Sequence, residues 1–262
     1  MMTNTELFKA IFKRKSVRKY TMTPLPPEIF TQIQNYARAA KPLDTSIRYE
    51  FSYMGEEDVK GLLAIKAPHY ICIFSEKKQG YLMNAGYLLQ QVDLYLSANH
   101  LGSCWLGMGK LSKNISSIKD GMEFVIMLAF GEAAEPVHRE GISEFNRKSL
   151  SDISTIAGAE ELLEPVRLAP SATNSQPWLF SGTGDQIIVC REKLNFIKTH
   201  LYEKINQIDM GIALYHLMLS LEYYKKTAIL DFQKTSVPAG QEFIAQVKIG
   251  RLFALSNNKK NK

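Results

Sequence analysis

The chain has 262 residues, of which 45% are hydrophobic and 22% charged, and its formal net charge at pH 7 is +6. This composition is ordinary for a globular protein and provides enough apolar residues for a sizeable core, in one large domain or two smaller ones. No run of eighteen apolar residues predicts a membrane span, and no basic stripe interleaved with aromatic residues predicts nucleic-acid binding. We therefore expect neither a membrane nor a nucleic acid as a partner.

The cysteines and histidines predict neither disulfide bonds nor a metal site. The chain has three cysteines, Cys72, Cys104 and Cys190. Their odd number and the absence of a Cys-x-x-Cys pair argue against a disulfide framework and against zinc. The five histidines show no ligand spacing. Because the amino-terminal region also lacks an apolar stretch of signal-peptide length, we expect a cytoplasmic protein.

The amino-terminal region combines a predicted helix with a basic cluster. Residues 5–13 place four large apolar side chains on one helical face, and the sequence Arg14-Lys15-Ser16-Val17-Arg18-Lys19-Tyr20 follows directly. Since a helix C-terminus carries a negative partial charge, the cationic side chains would have to bind any anion there, with the Ser16 hydroxyl as an additional donor. The cluster suits a single phosphate group better than a polyanion.

The rest of the first half predicts alternating helices and strands. Helical spacing over 27–40 and 80–100 predicts two helices, the second of them long, apolar and central, while residues 46–54, 69–74 and 123–131 predict strands. The segment Leu101-Gly102-Ser103-Cys104-Trp105-Leu106-Gly107 has the wrong order of strand, glycines and helix for a dinucleotide-binding fingerprint. By itself this segment is as compatible with a plain glycine-rich connection from a helix to a strand as with a segment that contacts a ligand.

The stretch Ala169-Pro170-Ser171-Ala172-Thr173-Asn174-Ser175-Gln176-Pro177-Trp178 joins a predicted helix over 160–168 to a predicted strand. Pro170 ends the helix, and the polar side chains that follow can both donate and accept hydrogen bonds, as the edge of a heteroaromatic ligand requires. Residues of these types also form capped turns without any ligand. The composition alone therefore favours an ordinary hydrogen-bonded loop.

Several motifs together are similar to those of the FMN-dependent nitroreductase family. The Ala169–Trp178 stretch resembles the turn that holds the isoalloxazine ring, and Arg14–Tyr20 resembles the Arg-x-Ser-x-Arg-aromatic motif that grips the FMN phosphate. Leu101–Gly107 is similar to the segment near the flavin N5 edge, and Arg147–Leu150 to the basic segment that returns to the phosphate. The resemblance covers most of the first half and the start of the second, and it is weak after residue 196.

The resemblance implies a flavin site and its residues. The FMN ligands that it implies are Arg14, Lys15, Ser16, Arg18 and Arg147 at the phosphate, Ser171 and Asn174 with Pro170 and Ala172 at the ring or ribityl chain, and main-chain groups of Leu106 and Gly107 near N5. No catalytic side chain is implied, because the cofactor supplies the chemistry. The implied function is an oxidoreductase that passes a hydride from NAD(P)H through FMN to a nitroaromatic, a quinone or another small-molecule acceptor. The alternative is a catalytically idle flavin-binding protein.

The spacing of the motifs differs from that of ordinary nitroreductases. In those proteins the turn follows the phosphate motif by a few tens of residues, whereas here Pro170 follows Arg18 by more than a hundred and fifty. Residues 166–180 can be laid over 37–51 without a gap, and 209–226, predicted as a long helix, are similar to 84–101, which suggests a degenerate internal repeat. The chain therefore resembles the family's homodimer fused into one polypeptide.

This interpretation sets the expected architecture. We expect an α+β fold with mixed, largely antiparallel sheets and long central helices, in two related halves at residues 1–150 and 151–255. Residues 256–262 are expected to form a disordered basic tail. The protein is predicted to be a monomer that acts as a pseudo-dimer and holds one FMN.

Overall fold

Two antiparallel sheets, one from each half of the chain, pack on a central pair of long helices in the computed structural model, which describes residues 2–61, 65–194 and 196–251. The helices are α1 (Asn4–Ile11), α2 (Pro27–Arg38), α3 (Tyr81–Ala98), α4 (Leu150–Ile153), α5 (Glu160–Arg167) and α6 (Phe196–Tyr223). The strands are β1 (Tyr49–Met54), β2 (Val59–Lys60), β3 (His69–Ser75), β4 (Gly102–Leu106), β5 (Lys110–Leu111), β6 (Ile118–Lys119), β7 (Met122–Gly131), β8 (Trp178–Thr183), β9 (Gln186–Glu192), β10 (Lys226–Asp231) and β11 (Gln241–Arg251).

The two large sheets have the same strand order. The first runs β1-β3-β7-β4, with β6 also paired to β7, and the second runs β8-β9-β11-β10. In each half the chain forms two antiparallel strands, then a long helix, and then an edge strand. Its last strand lies between this edge strand and the initial pair. The small strands β2 and β5 form a separate two-stranded ribbon.

Local sequence explains where several helices begin. The Thr3 hydroxyl accepts a hydrogen bond from the Glu6 N–H while the Glu6 carboxylate accepts one from the Thr3 N–H, which is a capping box at the start of α1. Pro27 occupies the first position of α2, where its missing N–H costs nothing. These signals begin the helices whose apolar faces cover α3.

The contact between α3 and α6 is a backbone contact made by two glycines. A Cβ atom on Gly86 would lie 2.1 Å from the carbonyl oxygen of Ile208, and a Cβ on Gly211 would lie 2.0 Å from the carbonyl oxygen of Met83. Each helix therefore uses a glycine to admit the main chain of the other. The central helices approach more closely than any side chain would allow.

The predicted α+β fold with largely antiparallel sheets and long central helices is confirmed. Two elements differ from the prediction. Helix α6 begins at Phe196 instead of residue 209, because polar residues surround Ile205 and Ile208 and hide the helical spacing of its first turns. Strand β10 occupies residues 226–231, which the sequence pattern does not separate from the end of the helix. The expected tail at 256–262 lies outside the described residues.

The described helices contain no segment that is both long and apolar enough to span a membrane. The division of the chain into halves at residue 150 stays a prediction.

Candidate functional site

A cavity of about 850 Å³ lies between segments from both halves of the chain. Its size is within the usual range for small-molecule and cofactor sites. The first half contributes Ser16, Arg18, Val59, Lys60, Gly61, Ile65, Cys104, Trp105, Leu106, Gly107, Met108, Gly109 and Ile126, and the second half contributes Pro170, Ser171, Ala172, Thr173, Tyr202, Ile205, Ile208, Asp209 and Ile212. The wall is mostly apolar with a few polar and charged groups, which suits a flat ligand with polar edges.

The basic motif reaches the cavity by pairing with β4. The Val17 N–H donates to the Ser103 carbonyl at 2.9 Å, and the missing side chain of Gly102 makes this approach possible, since a Cβ there would lie 2.7 Å from Val17 Cγ1. Ser16 and Arg18 on either side of Val17 then line the cavity. The basic motif and the glycine-containing segment, which are far apart in the sequence, thus form one wall.

Arg14 is placed differently from its neighbours in the motif. Its guanidinium is buried, and Nε donates to Asp93 Oδ2 at 2.5 Å. The other carboxylate oxygen of Asp93 accepts from the Ser103 hydroxyl at 2.5 Å, and Oδ2 also accepts from Trp105 Nε1 at 3.4 Å. Arg14 does not line the cavity, and neither does the half-buried Lys15. Asp93 therefore joins the basic motif to the strand that carries Trp105 and Leu106.

The turn between α5 and β8 has an unusual backbone. Thr173, Asn174 and Gln176 have φ values of 50°, 57° and 47°, in the left-handed region that residues other than glycine rarely adopt. The Ser171 hydroxyl accepts from the Gln176 N–H at 2.9 Å, and the Gln176 amide oxygen accepts from the Lys148 N–H at 2.7 Å. Such strained positions persist only where the surroundings hold them, and they cluster at functional sites.

Asn174 and Arg147 lie beside the cavity and bind each other. Arg147 Nη1 donates to the Asn174 side-chain oxygen at 2.6 Å, and the Asn174 amide donates to the Asn146 carbonyl at 2.8 Å. Burial, with Arg14 and other arginines nearby, lowers the pKa of Arg147 to about 10, and its Nε is buried without a hydrogen-bond partner in the described structure. The predicted contacts of both residues with FMN stay predictions.

Sequence reasoning missed two buried carboxylates at this site. Asp93 is the single charged residue of α3, and Asp209 lies in α6 ahead of a long apolar run and lines the cavity. Burial raises the pKa of Asp209 to about 7. For Asp93 the signal that could have identified it is a lone acidic residue inside an apolar helix, and for Asp209 it is an acidic residue directly before an apolar run, because carboxylates are rarely buried without a partner. Within the described residues, no three potential ligand side chains cluster as a metal site.

The comparisons with known proteins agree with this fold. The profile of the family described as "Putative TM nitroreductase" matches residues 6–221. A crystal structure from Thermotoga maritima with the same nitroreductase description is similar at a TM-score of 0.62, with 22% sequence identity over 95% of each chain. A nitroreductase family protein from Clostridium difficile aligns at a TM-score of 0.45 and 21% identity, covering 58% of this chain and 96% of that one.

A further nitroreductase crystal structure, from Desulfitobacterium hafniense and with bound FMN, aligns at a TM-score of 0.41 and 15% identity over 57% of this chain and all of that one. The comparison with functionally curated proteins finds no match. Because the family profile covers most of the sequence, the chain belongs to this nitroreductase family, and its function class is that of an oxidoreductase.

Proposed function

We propose that the protein binds one FMN per chain in the cavity and passes a hydride from NAD(P)H through it to a nitroaromatic, a quinone or a related small-molecule acceptor. The observation that carries this proposal is the composition of the cavity wall. Ser16, Arg18, Leu106 and Gly107 from the first half meet Pro170, Ser171 and Ala172 from the second half there. Arg18 and Pro170 are more than a hundred and fifty positions apart in the sequence, and seven of the eleven residues that the family resemblance assigns to FMN line this one cavity.

The residues of the cavity fit an FMN molecule. Apolar side chains such as Ile126, Ile208 and Ile212 suit the faces of a flat ring system. Arg18, which is exposed at one side, supplies a cation for a phosphate together with the Ser16 hydroxyl. The Nε of Arg147, buried beside the turn and without a partner in the described structure, supplies a further donor that a ligand could satisfy.

The chain's own groups would bind, orient and shield the cofactor, which supplies hydride transfer when bound. Ser171 keeps its hydroxyl hydrogen available because its oxygen accepts from the Gln176 N–H. Leu106 and Gly107 line the same cavity from the other half of the chain. Cys104 is buried, which raises its thiol pKa and keeps it neutral, so we assign it no nucleophilic role.

We further propose that the chain is a fused dimer that works as a monomer. The equal strand order of the two sheets and the reciprocal contact of Gly86 and Gly211 support this interpretation. A second, symmetry-related FMN would need a phosphate clamp from the second half, where the sequence offers no counterpart of Arg14–Arg18. A buried phosphate without cations is strongly disfavoured.

We also retain a cytoplasmic location as a proposal, since Cys72, Cys104 and Cys190 are buried free thiols.

Two measurements on the purified protein test the proposal. After saturation with FMN and desalting, flavin released from a known amount of protein is quantified by its absorbance, and we expect one FMN per chain. NADH or NADPH is then added without oxygen, and loss of the flavin absorbance within minutes is expected. A ratio near two would refute the fused-dimer interpretation. Bound flavin that neither nicotinamide reduces would refute the enzyme and favour an idle flavin-binding protein.

A further inference from the structure

The carboxyl group of Asp209 holds the turn between α5 and β8 in place from inside the protein. Asp209 lies on α6, is 3% exposed and lines the cavity. Its Oδ1 accepts a hydrogen bond from the Ala172 N–H at 3.0 Å, and its Oδ2 lies 3.5 Å from the Ser175 hydroxyl. The first contact fixes the residue at which the turn begins to bend, and the second is at the limit of a hydrogen bond.

The equivalent position in the first half is occupied by an amide. Asn84 lies on α3, and its side-chain oxygen accepts from the N–H groups of Leu43 and Asp44 at 2.8 and 3.1 Å. The sequence overlay pairs Leu43 with Ala172, so the two side chains fix corresponding turns in the same way. Asn84 does not line the cavity. Holding such a turn therefore requires only a neutral oxygen acceptor, and a carboxyl group adds a titratable O–H on the side of the chain where the cavity lies.

The surroundings of Asp209 favour its protonated form. Burial raises its pKa to about 7, and the opposing hydrogen bonds come only from the Ala172 N–H and the Ser175 hydroxyl. On α3, Tyr87 lies against the main chain of Gly211, and burial raises its pKa to about 12. The other ionisable groups of the cavity wall are Arg18, Lys60, Cys104 and Tyr202, and the side chains of Arg147 and Lys148 bind the turn.

We propose that Asp209 is a ligand-binding residue that works as a neutral carboxylic acid, donating its O–H to an acceptor atom of the flavin. The ligand class is a planar heteroaromatic compound with a carbonyl or ring-nitrogen acceptor. This inference rests on the proposed function, because it assumes a flavin in the cavity. Oδ1 accepts from the turn, and a proton on Oδ2 gives the carboxyl group its single donor, which is what an acceptor atom of the ligand requires.

The proposal has a consequence for the pH dependence of binding. If the protonated carboxyl donates to the ligand, proton binding and flavin binding strengthen each other by the same factor. Flavin affinity should then fall as the pH rises through the pKa of Asp209, by up to about tenfold per pH unit above it. Replacement by asparagine keeps both an oxygen for the Ala172 N–H and an N–H donor for the ligand, but it removes the titration.

The test measures riboflavin affinity by fluorescence between about pH 6 and pH 9, for the wild type, Asp209→Asn and Asn84→Asp. Riboflavin is used because it lacks the phosphate, whose own titration would interfere. We expect the wild-type affinity to fall above about pH 7, Asp209→Asn to show no such fall, and Asn84→Asp to behave as the wild type. Asn84→Asp is the matched control, because it places a carboxyl at the equivalent position that does not line the cavity.

Each outcome decides a separate point. Equal pH dependence of Asp209→Asn and the wild type would overturn the inference and leave the proposed function intact. A wild type that binds neither FMN nor riboflavin at any pH would refute the proposed function itself. If Asp209→Asn does not fold, carbon NMR of labelled aspartates in the wild type replaces it. A carboxyl that titrates near 7 in the free protein and at higher pH with riboflavin supports the proposal, and a titration that riboflavin leaves unchanged overturns it.

Discussion

The turn after α2 and the turn after α5 are held by the same device and differ in their backbones. A polar side chain of the adjacent long helix, Asn84 or Asp209, accepts from main-chain N–H groups of each turn. Positive φ values occur at Thr173, Asn174 and Gln176 in the second turn, while no residue of 41–48 in the first has one. The hydrogen bonds to the helix side chain occur in both turns and therefore belong to the fold. Of the two turns, only the one that lines the cavity contains left-handed residues.

The framework common to both halves can be disrupted where the central helices touch. Gly211→Ala would place a Cβ 2.0 Å from the Met83 carbonyl oxygen, and Gly86→Ala would do the same at Ile208. Since main chain faces main chain, no side chain can move aside, and we expect each substitution to cost about 3 kcal/mol or more. Denaturant unfolding measures this. Gly184→Ala, which has open space around its Cβ, is the control, and equal midpoints for all three variants would contradict the prediction.

The buried ion pair of Arg14 and Asp93 gives an effect of similar size. Arg14→Ala leaves the fully buried Asp93 carboxylate without its cation, and removal of one partner from a buried pair typically costs about 3 to 5 kcal/mol. The flavin-free protein should show this loss in urea unfolding. Replacing both partners, as Arg14→Met with Asp93→Leu, should recover most of the stability, because no uncompensated charge remains. A double variant as unstable as Arg14→Ala would show that the charge pair is not the cause.

The sequence predicted the strands and helices whose apolar pattern is uninterrupted. Strand β3 and helix α3 lie within a few residues of their predicted bounds, because a continuous apolar run marks the strand and a wide apolar face marks the helix. The start of α6 was missed where polar residues interrupt that pattern. Local patterns could not reveal that Arg14 pairs with Asp93, since the two residues are 79 positions apart and only the tertiary fold brings them together.

The sequence also predicted part of the candidate site. The motif resemblance selected Ser16, Arg18 and Ser171, which line the cavity. It also selected Asn174, which does not line the cavity and whose side chain contacts Arg147 and the Asn146 carbonyl, so that its contact with FMN stays a prediction. A motif specifies which residue types occur together, but the direction of each side chain depends on the backbone, and here φ of Asn174 is 57°.

The left-handed turn itself is tested by Asn174→Leu. Leucine removes the hydrogen bonds to Arg147 and Asn146 and adapts poorly to a φ of 57°, so we expect a loss of about 1 to 3 kcal/mol in the flavin-free protein. Thr45→Val, at the corresponding exposed position of the first turn, should change stability by no more than about 0.5 kcal/mol. Thermal unfolding compares the two. Similar losses in both variants would mean that the two turns do not differ in the way proposed.

The smallest expected effect on the fold, and the most specific one on binding, belongs to Arg18. Its side chain is exposed and lines the cavity, so Arg18→Ala should leave the stability of the flavin-free protein nearly unchanged. A hydrogen bond to a charged group is worth about 1.5 to 3 kcal/mol, and FMN affinity should therefore fall at least about tenfold. Riboflavin, which has no phosphate, should lose little.

Lys19→Ala provides the matched control, because Lys19 is an exposed cation one residue away that does not line the cavity. If general positive charge attracts the phosphate, both variants should weaken FMN alike, and the loss should disappear at high salt. If Arg18 binds the phosphate directly, its loss should exceed that of Lys19 and persist in salt. Equal losses of affinity for FMN and riboflavin in Arg18→Ala would show that Arg18 does not bind the phosphate. The proposed division of the FMN site between the two halves would then be wrong.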